Sequence, residues 1–293
     1  MPISIPAGLD DAGRSAAAKA QAVRSLPRYL VSASLAGAYV GVAVVLLISV
    51  SAPLFADESP MTRLVQGAVF GVALVLVVFA GAELFTGNAM TMLQGVRART
   101  VQRRDLAAVW AASLFGNLAG SLAFAAVVNA GGTLDGGPGE ALVEAMVTAK
   151  NVAAGPQLFW RAVLCNLLVC LALWMAGRVQ GDVAKVLVIW FALLAFIGSG
   201  FEHSVANMTI FGLAIFEGHA TAADLFRNLA WTVPGNVLGG GLLVGVTYSW
   251  LGSPGRTAVP ADPAPASPAP AGPAPAGAGA GAGATGQPEP ALA

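Results

Sequence analysis

Gly200-Phe201-Glu202-His203-Ser204-Val205-Ala206-Asn207 lies inside one long apolar stretch of the chain, and Gly81-Ala82-Glu83-Leu84-Phe85-Thr86-Gly87-Asn88 lies inside another, 119 residues earlier. The same offset carries Ala73-Leu74 onto Ala192-Leu193, Asp105-Leu106 onto Asp224-Leu225, Gly116-Asn117 onto Gly235-Asn236 and Gly120 onto Gly239. One constant shift over so many positions marks a duplication. A duplicated chain whose apolar segments are interrupted by polar clusters in both halves points to a transport pathway at the repeat interface.

Working outward from these clusters, composition sets the class. The 293 residues are 56% hydrophobic and 10% charged, with a mean hydropathy of +0.73; this is a multi-span membrane protein. The formal net charge is zero, so the chain offers no basic face to nucleic acid. Cys165 and Cys170 would point about 140° apart on a helix, which suits neither a disulfide nor a metal site. With two histidines in all, no metal centre or cofactor is expected.

Six apolar segments, about 29–50, 64–97, 105–129, 156–178, 184–216 and 224–250, are each long enough to cross a hydrocarbon core. The second and fifth are too long for one straight span and hold the two clusters. Of the 15 basic residues, Arg14, Lys19, Arg24, Arg28, Arg97, Arg99, Arg103, Arg104, Arg178, Lys185 and Arg256 fall on one side. Only Arg63, Lys150, Arg161 and Arg227 fall on the other, which also carries most of the acids. The positive-inside rule therefore puts both termini in the cytoplasm of a cell whose inner (plasma) membrane holds the protein. Three spans per half is an odd number, so the repeat is an inverted 3+3. Residues 1–28 form a cytoplasmic amphipathic segment, with a short surface helix expected over 13–28, and residues 29–251 form the channel domain. Residues 252–293, rich in Pro, Ala and Gly, are expected to be a disordered tail.

A helix breaks inside lipid only where protein or a cavity satisfies the freed backbone groups. Gly81, Gly87, Gly198 and Gly200 permit the turns. Glu83, Asn88, Glu202 and Asn207 are suited to bond the N–H groups at the start of the next half-helix. Their occurrence as matched pairs favours a structural role over chemistry. His203 differs, because its repeat mate is Leu84. An imidazole in mid-span is a functional candidate; the alternative is a buried histidine bonded to Asn166 or to free carbonyls. Asn166 and Lys150 also lack polar mates, and Lys150 could equally be a solvated residue of the loop joining spans three and four. Asn117 and Asn236 read as packing and backbone support.

At these residues the chain resembles the formate–nitrite transporter family. The resemblance is carried by Ala82–Asn88 in span two, Gly116-Asn117-Leu118-Ala119-Gly120 in span three, Leu164-Cys165-Asn166 through Trp174-Met175-Ala176 in span four, and Gly200–Met208 in span five. It covers about residues 25–250. It implies an all-α integral membrane fold: an aquaporin-like six-transmembrane-helix protomer, broken in helices two (around Leu84–Asn88) and five (around Gly198–Ser204), assembled as a homopentamer with one pore per protomer. It also implies that His203 is the central pore residue, that Thr86 bonds a passing solute, and that Lys150 and Asn166 take vestibule and pore-adjacent positions. Phe70, Leu74, Leu84, Phe85 and Phe196 match the family's constrictions. Ile189–Ile197, Asn207–Phe211 and Ala36–Gly41 resemble the nitrite branch more than the formate channels.

The reading that follows is a channel or transporter for nitrite and similar small monovalent anions of weak acids, with proton exchange at His203. Formate or hydrosulfide passage stays open as an alternative, as does a neutral-solute facilitator that would need neither Lys150 nor His203. An intramembrane enzyme using Glu202 and His203 lacks a nucleophile or metal and leaves Glu83 unexplained.

Overall fold

The computed structural model describes residues 1–253, and every described element is helical. The expected disordered tail lies outside the described residues save for its first two positions. The chain runs α1 (Ile5–Ala22), α2 (Leu26–Ala56), α3 (Thr62–Phe70), α4 (Val72–Ala80), α5 (Phe85–Arg97), α6 (Arg103–Ala130), α7 (Pro138–Val152), α8 (Gly155–Arg178), α9 (Asp182–Gly198), α10 (Ser204–Phe216) and α11 (Ala222–Asn236). A π-helical stretch, Val237–Val246, and the short α12 (Thr247–Leu251) continue α11. Among the described residues, five helical stretches are long and apolar enough to cross a membrane: Leu26–Ala56, Thr62–Ala80, Arg103–Ala130, Gly155–Arg178 and Ala222–Leu251.

The duplication is visible in the caps. Asp105 reaches back to the Gln102 N–H and Asp224 to the Thr221 N–H, each at 2.9 Å, so matched carboxylates start α6 and α11. Close helix contact is matched as well. A Cβ on Gly120 would collide with the Ser34 carbonyl of α2, and one on Gly239 with the Val163 carbonyl of α8. These two glycines let α6 lie on α2 and α11 lie on α8 at backbone distance.

Two expectations need correction. The amino-terminal helix begins at Ile5, not near residue 13, because the Ser4 hydroxyl accepts the Ala7 N–H and Pro6 sits in the first turn. It ends before Leu26, where Pro27 starts α2. The loop between spans three and four contains a whole helix, α7, whose Leu142, Val143 and Val147 are buried. That amphipathic spacing was in the sequence but was overshadowed by the longer apolar runs. Further along, the Trp190 indole N–H donates to the Ala68 carbonyl at 2.7 Å, where a helical residue would otherwise bond. The discontinuity between α3 and α4 follows from that insertion. In the same way the Asn166 amide takes the Asn236 carbonyl at 2.6 Å, just where α11 widens into π geometry.

Candidate functional site

The two polar clusters fall between helices, α4–α5 and α9–α10. The chain leaves α4 at Gly81 (φ 78°) and turns after α9 at Gly200 (φ 72°), left-handed conformations that a side chain would strain. Leu84 and His203 then run extended into the first residue of α5 and α10. The second break lies at 199–203, inside the expected Gly198–Ser204. The first lies at 81–84, some residues before the expected Leu84–Asn88, since Gly81 rather than Gly87 makes the turn.

The freed backbone is held from outside. Asn117 of α6 accepts the Phe85 N–H at 2.9 Å and donates to the Ala33 carbonyl at 2.8 Å and the Glu83 carbonyl at 2.9 Å. Asn236 repeats the set, with the Ser204 N–H at 2.9 Å, the Ala162 carbonyl at 2.8 Å and the Glu202 carbonyl at 3.1 Å. The asparagines read as packing and backbone support thus clamp both breaks, and the backbone role expected of the two glutamates is corrected.

Each glutamate instead anchors a charged cluster. Lys150 of α7 donates to Glu202 at 2.7 Å, and Asn207 donates to the same oxygen at 2.7 Å. Lys19 of α1 donates to Glu83 at 2.8 Å, joined by Asn88 at 3.0 Å and the Tyr29 hydroxyl at 3.0 Å. Both pairs are largely buried: the Lys150 side chain is 12% exposed and that of Lys19 20%. Two or three such donors satisfy each buried carboxylate. Lys19 and Tyr29 escaped the sequence reading. Lys19 belongs to a segment outside the repeat, and the 119 offset matches Lys150 to Val31, so no sequence symmetry announced it.

Three cavities line up between these clusters. One of about 570 Å³ opens beside α1 and is lined by Lys19, Glu83, Leu84, Asn88 and Trp174 among others. One of about 200 Å³ opens beside α7 and is lined by Lys150, Glu202, His203, Phe70 and Phe196 among others. Between them sits a chamber of about 10 Å³ walled by Val40, Phe70, Ala73, Leu74, Leu84, Val169, Leu193, Phe196 and His203. Leu84 is shared with the α1 cavity, and Phe70, Phe196 and His203 with the α7 cavity. Phe70 and Phe196 meet edge to face, with centroids 5.5 Å apart. Of the expected constriction residues, Phe70, Leu74, Leu84 and Phe196 wall this chamber, whereas Phe85 is buried and lines none of the three cavities.

His203 is the polar group of the chamber wall. Its Nδ1 accepts the Ala206 N–H at 3.1 Å, which puts the proton of a neutral imidazole on Nε2. Nε2 lies 3.2 Å from the hydroxyl of Thr86, which was expected on the solute path but is fully buried and lines none of the three cavities. With Nε2–H donating, the Thr86 O–H is left to donate onward. Asn166 does not reach the cavities; its amide holds the Thr86 carbonyl at 3.1 Å and the Asn236 carbonyl at 2.6 Å, and Cys170 Sγ adds a contact to the Thr86 carbonyl at 3.3 Å. Its expected place on the solute path is corrected to the layer behind Thr86.

The family model described as formate/nitrite transporter matches residues 10–250. The chain belongs to the formate/nitrite transporter family. The nitrite transporter NirC of Salmonella typhimurium is 42% identical over 229 residues, covering 77% of this chain and 83% of the relative. NirC of Escherichia coli is 40% identical over 237 residues, covering 80% and 87%. The formate channel BtFdhC of Bacillus thuringiensis is 35% identical over 225 residues, covering 77% and 87%. Among solved structures, an ion channel of the family superposes with a TM-score of 0.79 at 40% identity, covering 84% of this chain and 99% of that one. A pentameric formate channel with formate bound superposes with a TM-score of 0.67 at 29% identity, covering 78% and 98%. As a formate/nitrite transporter family member the chain is a multi-pass membrane transport protein and not an enzyme.

Proposed function

We propose that this protein is a homopentameric channel for nitrite, each protomer carrying its own pore along the line of the three cavities. The protomer crosses the membrane six times as an inverted repeat, with both termini cytoplasmic and α7 on the outer side of the inner membrane. The observation that supports this reading is His203 in the wall of an otherwise apolar chamber, with the Thr86 hydroxyl 3.2 Å from its Nε2 and a Lys–Glu–Asn cluster at either side. A bare anion in such a chamber faces a desolvation penalty of several kcal/mol. A hydroxyl donor backed by an imidazole N–H lowers that penalty where the solute is least hydrated. An imidazole that first takes up a proton from solution, giving up the Ala206 N–H bond at Nδ1, can return one proton to the anion of a weak acid, which would then cross Leu84 or Phe196 as the neutral acid while the ring goes back to its neutral form. Lys150 and Lys19 present ammonium donors at the two cavities while pairing with Glu202 and Glu83.

Nitrite is favoured over formate by sequence identity, 40–42% with the nitrite transporters against 35% with the formate channel. Formate is the second reading, supported by the formate-bound neighbour of the same fold.

Nitrite uptake into proteoliposomes from pH 5 to 8 tests the role of the pair. Thr86→Val, which keeps the shape and removes the hydroxyl, should lower flux roughly tenfold or more. His203→Asn should assemble as the parent does, lose most of its flux and lose its pH dependence. Parental rates and pH profiles in both variants would remove the pair from the pathway.

A further inference from the structure

The two end cavities have similar anchoring clusters but different charge. The α1 cavity is lined by Asp11, Lys19, Glu83 and Arg178, whose formal charges cancel. The α7 cavity is lined by Arg63, Lys150, Arg161 and a single acid, Glu202. Glu202 is spent on Lys150, at 2.7 Å in a buried pair, so the ammonium of Lys150 contributes little net field. The excess positive charge of this cavity belongs to Arg63 and Arg161. Both are exposed, and among the described residues neither guanidinium makes an ion pair or a side-chain hydrogen bond to the protein.

Their placement is fixed by the fold. Arg63 stands in the first turn of α3, and its Nη1 lies 2.9 Å from the position a Cβ would take on Gly200. The guanidinium therefore lies against the break itself, an approach open only to a glycine at that position. Arg161 stands in the second turn of α8, where its carbonyl accepts the Glu202 N–H at 3.3 Å, tying its backbone to the other side of the same break. Two planar, permanently charged donors thus face the cavity that leads to His203, and neither has a repeat mate of the same charge, since the 119 offset pairs Arg161 with Val42 and Arg63 with Asp182.

We infer that Arg63 and Arg161 form an anion-capture site on the α7 side, which binds small monovalent oxyanions before they reach the chamber and makes uptake from that side saturate at lower concentration than from the α1 side. This inference rests on the channel reading above. Free guanidinium groups with no competing carboxylate concentrate anions by long-range attraction and hold them by forked hydrogen bonds. Because the groups are exposed, their field is screened by salt over about 8–10 Å at physiological ionic strength.

The test is nitrite uptake from the α7 side of oriented proteoliposomes, with the concentration series repeated at low and high ionic strength. For the parent, the half-saturating concentration should be roughly threefold or more lower at low salt than at high salt, with the maximal rate unchanged. Arg63→Gln with Arg161→Gln should raise the low-salt value to the high-salt one and leave the maximal rate and the pH profile as in the parent. Arg63→Lys with Arg161→Lys keeps the charge and should retain most of the salt dependence. Equal half-saturation and salt dependence in the assembled glutamine variant would overturn the inference. So would a parent whose half-saturation ignores salt, an outcome readable even if the glutamine variant does not assemble. A parent that carries no nitrite above protein-free vesicles fails the functional reading instead, and the same series with formate then reads the arginines on their own.

Discussion

Lys150 and Glu202 are buried together, so the two single changes and the double change separate pairing from transport. Lys150→Ala would leave the Glu202 carboxylate buried with only the Asn207 amide, a cost on the order of 3–5 kcal/mol. Lys150→Met with Glu202→Gln removes both charges and should recover most of the lost thermal stability in detergent without recovering full flux. A single variant as stable as the parent would contradict the pairing. A second titrating group lies at the α7 end, outside the spans. Burial, together with the charges of Glu140 and Asp135, raises Glu217 from its usual carboxylate range to about 7, His219 opposing. A raised pKa means that the folded protein favours the protonated acid, so this group's stabilising contribution is present at low pH and is lost as pH rises through about 7. Glu217→Gln should therefore match the parent at pH 5 and melt higher than it at pH 8. Identical melting curves at both pH values would sink that assignment.

The broken elements depend on groups that belong to other helices. Asn236→Ala would leave the Ser204 N–H and the Ala162 and Glu202 carbonyls without their partner, a loss of roughly 2–4 kcal/mol. Asn117→Ala should cost about as much, by the same geometry at the other break. Asn236→Asp retains an acceptor for Ser204 and should fall between, and unfolding temperatures of purified protein would rank the three. The existence of both breaks was legible from Gly81, Gly200 and the matched polar residues around them. What held them was less so, because an asparagine of the next span, not the nearest carboxylate, accepts the freed N–H groups. Nearest-neighbour reasoning assigned Glu83 and Glu202 to that task, and the lysines that claim them instead come from α1 and α7. Neither lysine is fixed by the repeat, and α7 hid in a stretch read as a loop. Phe85 and Asn166 were drawn to the pore by resemblance, but helix phase turns one into the core and the other onto the Thr86 carbonyl.

At the scale of the whole molecule, the fold converts a duplicated sequence into two charged clusters separated by an apolar chamber, with a lone His–Thr pair breaking the symmetry. The 119-residue offset and the mismatch of His203 with Leu84 anticipated the paired breaks and the lone histidine between them, but not the lysine–glutamate clusters. The sizes of the cavities and the charge imbalance between them were not, since both depend on which side chains the helices bring together across the repeat. On this reading the chamber carries nitrite through donors that stabilise negative charge, and a neutral solute of similar size with no acidic proton gains nothing from them. The measurement that tests it most directly is uptake at pH 7 by proteoliposomes of nitrite, formate and urea, each against protein-free vesicles. Nitrite should enter well above the vesicle baseline and faster than formate, with urea at the baseline. Nitrite at the baseline, or urea entering as readily as nitrite, would contradict the account.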